Sequence, residues 1–532
     1  MSPDEIKSLP EAELPKLAER VRGRIVEAVA ANGGHLASSL GAVEIAIGLL
    51  RAFDPPADSV LWDVGHQAYA WKMLTGRGGE RFMTLRRHGG VSPFLNPAES
   101  EDDPFISGHA GVALAAAAGI AAARKRTGGG CVVAVVGDAS LMNGESLEAL
   151  HAIGRPGGPK VIVVLNDNGG GAAEGVRYAD VLRAFGIPCT EPVDGHDAAA
   201  LAKAFAAAKA GGKSVAVHVT TRKGKGFAPA EADPEAWHSV GPFAGKEGKA
   251  AERTWGEAFG DALAAAARKD DRVCAVVAAM KRGTGLSAFA EEFPERFFDV
   301  GIREEMAVTF AAGLAKAGMR PVVAVYSTFL QRAVDQMLHD VCLQGLPVVF
   351  AVDHAGCVGE DGATHHGLYD IPLMRPLPGL RIFAPTCQEE IGPLLAEAMA
   401  SNGPAAIRYP KGSVAPRRAL EGRGDVRILA VGDQVAKALM VKDLLAAKGI
   451  GAEVVPVSRV KPPESAGRNG ARLTVSIENG AVSGGFGEGV GADMRFGWPD
   501  AVVGHGTVEE LEREFGFDAE SIAEAIWRNS MA

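Results

Sequence analysis

Short apolar runs rich in β-branched residues recur along this chain, and longer stretches rich in alanine and leucine separate them. These runs predict strands at 132–136, 161–165, 215–219, 273–277, 322–326, 348–352, 428–431 and 473–477. They are apolar throughout rather than alternating, which is typical of parallel strands that helices cover on both faces. The pattern therefore predicts an α/β fold built from mostly parallel sheets, with ligand sites at the carboxyl ends of the strands.

Two stretches rich in glycine, lysine or proline interrupt the series and are interpreted as linkers, at 239–253 and 410–425. The chain of 532 residues is longer than one hydrophobic core usually supports. Each piece between the linkers begins its own series of strands and helices. We therefore predict three α/β domains, over residues 1–240, 251–412 and 425–532.

Composition and charge argue against several classes of protein. The 55 basic and 65 acidic residues give a net charge of -10, which provides no overall attraction to nucleic acid or to an anionic membrane. No apolar run is long enough for a membrane span, and the first residues do not resemble a signal peptide. The six cysteines form no C-x-x-C pair, so neither a disulfide framework nor a thiolate zinc site is indicated. We expect a cytoplasmic protein with no nucleic-acid or membrane partner.

Polar residues follow two successive predicted strands at the point where each strand ends. Gly137-Asp138-Ala139-Ser140 follow the first, and Asn168 ends the Asn-Asp-Asn sequence after the second. The carboxyl ends of parallel strands share one sheet edge, where a helix N-terminus can hold phosphate. Because Mg²⁺ prefers a few oxygen ligands together with phosphate, Asp138 and Asn168 are candidate ligands of one cation. A Gly-Asp pair alone would more often be an ordinary turn, and the second motif favours the cation site.

Three histidines, His35, His66 and His109, lie among glycine and other small residues. A single histidine is more often structural, but three in such settings are better explained as a group that handles protons on a small substrate. The middle piece holds a further polar group, which includes Glu304, Arg332 and Arg408. The default alternative for these three is a solvated carboxylate and two arginines paired with surface acids.

The longer motifs resemble those of the 1-deoxy-D-xylulose-5-phosphate synthase family. The Gly-Asp and Asn-Asp-Asn pair alone is shared with the wider transketolase-like superfamily, whereas the longer motifs span nearly the whole chain. They include G-G-H-x-A-S at 33–38, D-V-G-H-Q-A-Y at 63–69, P-V-D-G-H-D at 192–197, K-G-K-G-F at 223–227, G-x-D-G-x-T-H at 359–365 and R-Y-P-K-G at 408–412.

This resemblance implies three transketolase-like domains with the thiamine-diphosphate-binding fold, assembled as a homodimer. It also implies a reaction that depends on thiamine diphosphate and Mg²⁺. In that reaction, pyruvate condenses with D-glyceraldehyde 3-phosphate, CO2 is released, and 1-deoxy-D-xylulose 5-phosphate is formed. The product would feed the synthesis of isoprenoids, thiamine and pyridoxal. The expected partners are therefore small-molecule substrates.

The resemblance further implies roles for individual residues. Glu304 would hydrogen-bond the aminopyrimidine ring of the cofactor, and Phe329 would stack on that ring. Cofactor contacts are expected from His35, His109, Gly137, Asp138, Ala139, Ser140, Asn168, Glu304 and Phe329, and metal ligation from Asp138, Asn168 and the main chain of Gly170. Catalytic roles are expected for Glu304, His35, His66, His109 and His365. Substrate contacts are expected from Tyr326, Arg332, His354, Asp361, His365, Arg408 and His238.

The chain departs from the family pattern in places that bear on these roles. His354 stands where the family usually has arginine, near the acceptor phosphate, and Ala139 replaces a glycine. The chain is also shorter than the family after Asn168, and we interpret 169–173 as a bridge over an excised mobile segment, with a natural short connection as the alternative. Two other functions stay open: a transketolase-like enzyme with a different acceptor or a ketose donor, and an inactive cofactor-binding paralogue.

Overall fold

The computed structural model describes residues 2–169, 175–244, 253–418, 424–463 and 470–531. Its contacts group the chain into two compact units, Met1–Lys249 and Ala250–Ala532. No helix within these described ranges is long and apolar enough to cross a membrane.

The first unit is built on a five-stranded parallel sheet in the order β1-β2-β3-β5-β4. Its strands are β1 (Ser59–Asp63), β2 (Val132–Gly137), β3 (Ile162–Asp167), β4 (Val193–Asp194) and β5 (Val215–Thr220). Val133 and Val135 pack into the core on one face, and Val132, Ala134 and Val136 pack into the core on the other. Successive side chains of a strand point to opposite faces, so a sheet covered on both sides needs apolar residues at every position.

Helices cover both faces of this sheet. They are α1 (Pro3–Ser8), α2 (Leu14–Asn32), α3 (Ala37–Gly41), α4 (Val43–Ala52), α5 (Tyr69–Lys72), α6 (Gly79–Phe82), α7 (Val112–Thr127), α8 (Asp138–Leu141), α9 (Gly144–Gly154), α10 (Tyr178–Ala184), α11 (Ala198–Ala210) and α12 (Ala228–Ala232).

The second unit contains two sheets. The larger has the order β14-β10-β11-β9-β8-β6-β7 and is parallel except for β14, which runs antiparallel to β10. The smaller is parallel, in the order β13-β12-β15-β16. The strands are β6 (Val273–Val277), β7 (Phe297–Asp299), β8 (Arg320–Tyr326), β9 (Val349–Asp353), β10 (Arg381–Phe383), β11 (Ala405–Arg408), β12 (Val426–Val431), β13 (Ala452–Val457), β14 (Arg459–Lys461), β15 (Leu473–Ala481) and β16 (Met494–Trp498).

Helices pack around both of these sheets. They are α13 (Trp255–Ala267), α14 (Ser287–Glu292), α15 (Glu304–Lys316), α16 (Ser327–Leu330), α17 (Val334–Gln336), α18 (Asp370–Met374), α19 (Gln388–Ala400), α20 (Val435–Ala447), α21 (Phe486–Gly489), α22 (Val508–Glu514) and α23 (Ala519–Met531).

The predicted α/β class and mostly parallel sheets are confirmed, and each of the eight predicted strands is present. The sequence pattern missed short strands such as β1 and β10, and β16, whose residues are mostly only part-buried. β10 has three residues, and β1 and β16 include polar residues or glycine, so none of them stands out as an apolar run. The three domain boundaries stay a prediction. The antiparallel strand β14 lies within the predicted third domain in sequence, yet it pairs with the larger sheet.

Candidate functional site

The first sheet places the Gly-Asp and Asn-Asp-Asn motifs at neighbouring strand ends. β2 and β3 are parallel neighbours, with Gly137 opposite Asn166. Asp138 is the first residue of α8, is buried, and accepts a hydrogen bond from the Ala139 N–H at 2.8 Å. Ala139 and Ser140 continue α8, and Asn168 directly follows β3. These residues lie at the predicted edge of the sheet.

Cation binding at this edge stays a prediction. Within the part of the chain that the structure describes, no group of three or more His, Cys, Asp or Glu residues is arranged to hold a metal ion. Asp138 and Asn168 would supply two oxygen ligands, and Mg²⁺ commonly completes its coordination with phosphate oxygens and water. Gly170, the predicted main-chain ligand, and most of the 169–173 bridge lie outside the described residues.

Three of the predicted histidines form a cluster in the first unit. The ring centroids of His35 and His66 are 6.0 Å apart, and His238 lies 5.6 Å from His35 and 5.1 Å from His66. The Phe94 ring is 5.3 Å from His35. The fold thus brings His35 together with residues about 30 and 200 positions away in the chain. The family resemblance implies that these histidines act at one site.

Helix α3 supports this cluster through two serine hydroxyl groups. The Ser38 hydroxyl lies 3.4 Å from the His238 Nδ1, and the Ser39 hydroxyl donates to the His66 carbonyl at 2.8 Å. Desolvation by the surrounding protein, together with the positive charge of Lys223, lowers the pKa of His238 to about 4. His238 is therefore neutral near pH 7 and can accept or donate one hydrogen bond. Sequence analysis did not single out Lys223, although it opens the K-G-K-G-F motif.

His109 lies in the loop that precedes α7. The Asp63 carboxylate, at the end of β1, anchors this loop by accepting hydrogen bonds from the N–H groups of Gly111 and Ala113, both at 2.9 Å. Gly111 has a φ of +87°, and a Cβ there would lie 2.4 Å from the Asn143 Oδ1. Glycine is therefore required beside His109 for two reasons, its backbone conformation and the close approach.

Glu304 is the first residue of α15 in the second unit and is 6% exposed. Its Oε2 is buried and accepts no hydrogen bond from any residue that the structure describes. Burial raises the pKa of Glu304 to about 7, although the charge of Arg332 opposes the shift. The Arg332 Nε lies 3.8 Å from the Glu304 Oε2 and 3.5 Å from the Glu305 Oε1. This acid can therefore hold or release a proton near neutral pH.

Four predicted site residues form a row of rings beside the end of β8. Tyr326 stacks on His354 with centroids 3.8 Å apart and lies parallel to Phe329 at 5.8 Å. His365 packs edge-on against Phe329 at 5.5 Å. The His354 Nδ1 is 2.9 Å from the Asp353 Oδ1. The structure thus brings together residues that the resemblance assigns to the cofactor ring and the substrate.

Arg408 and Asp361, both predicted substrate contacts, have protein partners. Arg408 is 2% exposed, and its guanidinium donates to the Asp370 carboxylate at 2.7 Å and to the Asn479 carbonyl at 2.8 Å. Asp361 accepts a hydrogen bond from Lys411 at 3.1 Å. Phosphate binding by Arg408 stays a prediction that this buried pairing does not favour, because the ion pair with Asp370 would have to be broken.

Comparison with protein-family models matches three parts of the chain. Residues 1–178 match the model described as 1-deoxy-D-xylulose-5-phosphate synthase, residues 251–416 match the pyrimidine binding domain of transketolase, and residues 418–522 match the C-terminal domain of transketolase. These matches cover most of the chain in the order in which the motifs occur.

Curated relatives match over nearly the whole chain. The 1-deoxy-D-xylulose-5-phosphate synthase 2 of Geobacter sulfurreducens is 43% identical over 615 aligned residues, which cover 99% of this chain and 98% of the relative. The 1-deoxy-D-xylulose-5-phosphate synthase of Myxococcus xanthus is 42% identical over 568 residues, which cover 98% and 97% of the two chains. A solved transketolase structure from Campylobacter jejuni aligns over 97% of this chain and 99% of its own, at 16% identity and a TM-score of 0.49.

The lengths of the two alignments bear on the predicted shortening. The Geobacter alignment is longer than this chain of 532 residues, so that relative has residues that this chain lacks. The Myxococcus alignment is shorter at almost the same coverage, so relatives differ in length among themselves. The chain is thus shorter than some curated relatives, whereas the excision of a mobile segment after Asn168 stays a prediction.

Proposed function

This chain belongs to the 1-deoxy-D-xylulose-5-phosphate synthase family, and we propose that the residues described above carry out the family's reaction. It is a transketolase-type transferase that uses thiamine diphosphate to condense pyruvate with D-glyceraldehyde 3-phosphate. The products are CO2 and 1-deoxy-D-xylulose 5-phosphate, a precursor of isoprenoids.

The observation that carries the proposal is the buried Glu304 carboxyl group. A buried oxygen that lacks a hydrogen-bond partner within the described residues is costly in a folded protein, unless a ligand supplies the partner. An aminopyrimidine ring offers such a partner, so the residues present fit thiamine diphosphate. When bound, this cofactor supplies a carbon nucleophile that accepts the two-carbon unit of pyruvate and delivers it to an aldehyde.

In this proposal, Glu304 holds a proton at its buried oxygen and shares it with a ring nitrogen of the cofactor. Its raised pKa of about 7 suits transfer in either direction at neutral pH. The row of Tyr326, Phe329, His354 and His365 provides flat apolar surface with polar edges on the same unit. Flat rings exclude water from a bound heteroaromatic ring and orient it by stacking.

The first unit contributes the other proposed groups. Asp138 and Asn168 would hold Mg²⁺ on the diphosphate, where the cation neutralises phosphate charge. His35, His66, His109 and His238 would donate and accept protons on the substrate carbonyl and carboxylate. His238, whose ring stays neutral above about pH 4, is suited to donating or accepting a hydrogen bond there.

We further propose that the enzyme is a cytoplasmic homodimer and that Arg332 and His354 contact the acceptor phosphate. Arg332 is a fork of donors suited to phosphate, and its contacts with Glu304 and Glu305 are longer than the Arg408 ion pair. Tyr326, Asp361, His365 and Arg408 remain proposed substrate residues.

The test is product analysis with thiamine diphosphate and Mg²⁺ present. Pyruvate labelled at its carboxyl carbon and D-glyceraldehyde 3-phosphate should give labelled CO2 and 1-deoxy-D-xylulose 5-phosphate in equal amounts. Glu304→Gln should lose this turnover, whereas the matched control Glu305→Gln, on the next residue of the same helix, should retain most of it. Product formation from a ketose phosphate donor without CO2 release would instead assign the transketolase alternative.

A further inference from the structure

The proposed reaction assigns no role to the P-V-D-G-H-D motif at 192–197. The Asp194 carboxylate accepts a hydrogen bond from the His196 N–H at 2.8 Å. A Cβ at Gly195 would lie 2.5 Å from the Thr220 carbonyl, so only glycine fits against the end of β5. Asp197 caps α11 by accepting from the N–H groups of Ala199 and Ala200. These contacts explain the two aspartates and the glycine, but not the imidazole ring of His196.

The His196 ring lies between a backbone donor and a buried ion pair. Its Nε2 accepts a hydrogen bond from the Arg222 N–H at 2.9 Å, and its Nδ1 is 3.4 Å from the Glu44 Oε2. A ring nitrogen that accepts carries no proton, so the neutral ring keeps its proton on Nδ1, which faces Glu44. Glu44 also pairs with the Arg22 guanidinium at 2.5 Å. Burial raises the pKa of Glu44, but the hydrogen bonds from His196 and Arg22 outweigh it and lower the pKa overall.

Arg222 begins the turn 222–226, which carries Lys223. The Gly224 N–H donates to the Ala37 carbonyl at 2.8 Å, so the turn is attached to α3, the helix that contacts His66 and His238. Lys223 is part-buried, and its charge acts on both Asp138 and His238. The position of this charge depends on where the turn is held.

We propose that His196 is a positioning residue of the cofactor site. By accepting from the Arg222 N–H, it holds the turn 222–226 so that the Lys223 ammonium group lies near Asp138 and the histidine cluster. The ligand that benefits is the diphosphate of the cofactor, because a fixed, poorly hydrated cation attracts an anion more strongly than a mobile one. This inference rests on the proposed function, since it takes Asp138 to lie on the diphosphate side of the site.

Two near-isosteric variants separate the two hydrogen bonds of His196. In His196→Gln the side-chain oxygen can take the place of Nε2 and accept from Arg222, whereas in His196→Asn the amide nitrogen can take the place of Nδ1 and face Glu44. The readout is the dissociation constant of thiamine diphosphate, measured by fluorescence titration of the apoprotein in Mg²⁺. We expect the asparagine variant to bind about three- to tenfold more weakly, which corresponds to the loss of one hydrogen bond to the backbone. The glutamine variant should bind nearly as tightly as wild type.

Lys223→Met provides the second arm of the experiment. It should weaken cofactor binding at least as much as His196→Asn, and the double variant should bind no more weakly than Lys223→Met alone, because both changes act through the same cation. Thermal unfolding of each apoprotein checks the fold. If the asparagine variant does not fold, unchanged affinity in Lys223→Met would still refute the proposal.

Equal losses in the glutamine and asparagine variants, or additive losses in the double variant, would show that His196 does not act through the turn. Either result with a wild-type protein that binds the cofactor overturns this inference alone. A wild-type protein that binds no thiamine diphosphate would overturn the proposed function itself.

Discussion

Two buried glutamates in the second unit have the same raised pKa and different surroundings. Glu304 begins α15 beside the larger sheet, and Glu478 lies in β15 of the smaller sheet; burial raises the pKa of each to about 7. Both Glu478 oxygens accept backbone hydrogen bonds, from Phe486 at 2.6 Å and from Gly487 at 2.9 Å. The Glu304 Oε2 accepts none from the residues that the structure describes. A raised pKa therefore does not by itself distinguish a ligand-binding acid from a structural one. The distinction depends on whether the carboxylate oxygens already accept hydrogen bonds from the protein.

The largest expected difference between Glu304 and Glu478 is the effect of their substitution on turnover. Glu304→Gln should lower kcat by about 10²- to 10⁴-fold, because it removes a positioned acid from the proposed cofactor ring. Glu478→Gln should leave kcat of the folded enzyme within about tenfold of wild type, since its carboxylate accepts hydrogen bonds from the first residues of α21. Steady-state kinetics at a temperature where both variants are folded will measure this. Comparable losses of kcat in both variants would show that Glu304 is not distinguished from Glu478 as the catalytic acid.

An arginine acts on each of the two acids, Arg332 on Glu304 and Arg408 on Glu478, and variants of these arginines should differ in stability. Arg408→Gln leaves the buried Asp370 carboxylate without its ion pair and should cost about 3 to 5 kcal/mol of unfolding free energy. Arg332→Gln removes the longer contacts of 3.5 and 3.8 Å to Glu305 and Glu304, so it should cost less and instead raise KM for the acceptor. Urea unfolding and acceptor titration measure both effects. A stable Arg408→Gln protein with a raised acceptor KM would restore the predicted phosphate role of Arg408.

Both acids should also make the protein less stable as the pH rises from about 4 to about 7. Each group has a folded-state pKa of about 7, above the value of about 4.3 for an unfolded glutamate, so the folded state binds the proton more tightly. The stabilisation is complete below about pH 4 and is lost as the pH rises through 7, by about 3 kcal/mol for each group.

Glu304→Gln and Glu478→Gln should each remove one such contribution, which unfolding measured as a function of pH can detect. Thiamine diphosphate should change only the contribution of Glu304. A cofactor effect on the pH dependence that persists in Glu304→Gln and disappears in Glu478→Gln would reverse the assignment.

The smallest expected effect concerns His354, which stacks on Tyr326. His354→Arg should lower the acceptor KM a few-fold by adding a charged donor, and should leave the unfolding midpoint nearly unchanged because the ring is part-exposed. The loss of the stack on Tyr326 limits the gain. An acceptor KM that does not change would show that position 354 does not contact the phosphate.

The candidate site was predictable from sequence where local motifs carry the chemistry. The two strand-end motifs, the histidines and Glu304 were all found this way, and the structure brings His35, His66 and His238 together and places Tyr326, Phe329, His354 and His365 in one row. Lys223 and Phe94 were missed. Lys223 lies within a recognised motif, but the action of its charge on His238 depends on contacts between residues far apart in the chain, and Phe94 carries no local signal.

The sequence by itself determined the α/β class, the parallel strands and the family. An apolar run marks a strand covered on both faces, and long ordered motifs identify a family without any knowledge of their contacts. Only the tertiary structure decided which polar groups already have hydrogen-bond or ion-pair partners within the protein. The sequence marked Arg408 as a phosphate ligand but did not show that the Asp370 carboxylate lies 2.7 Å away, and it gave the imidazole of His196 no role, whereas the structure places the Arg222 N–H on its Nε2. Whether a donor or acceptor remains available to a ligand depends on its neighbours in space, and these lie 26 and 38 residues away in the chain.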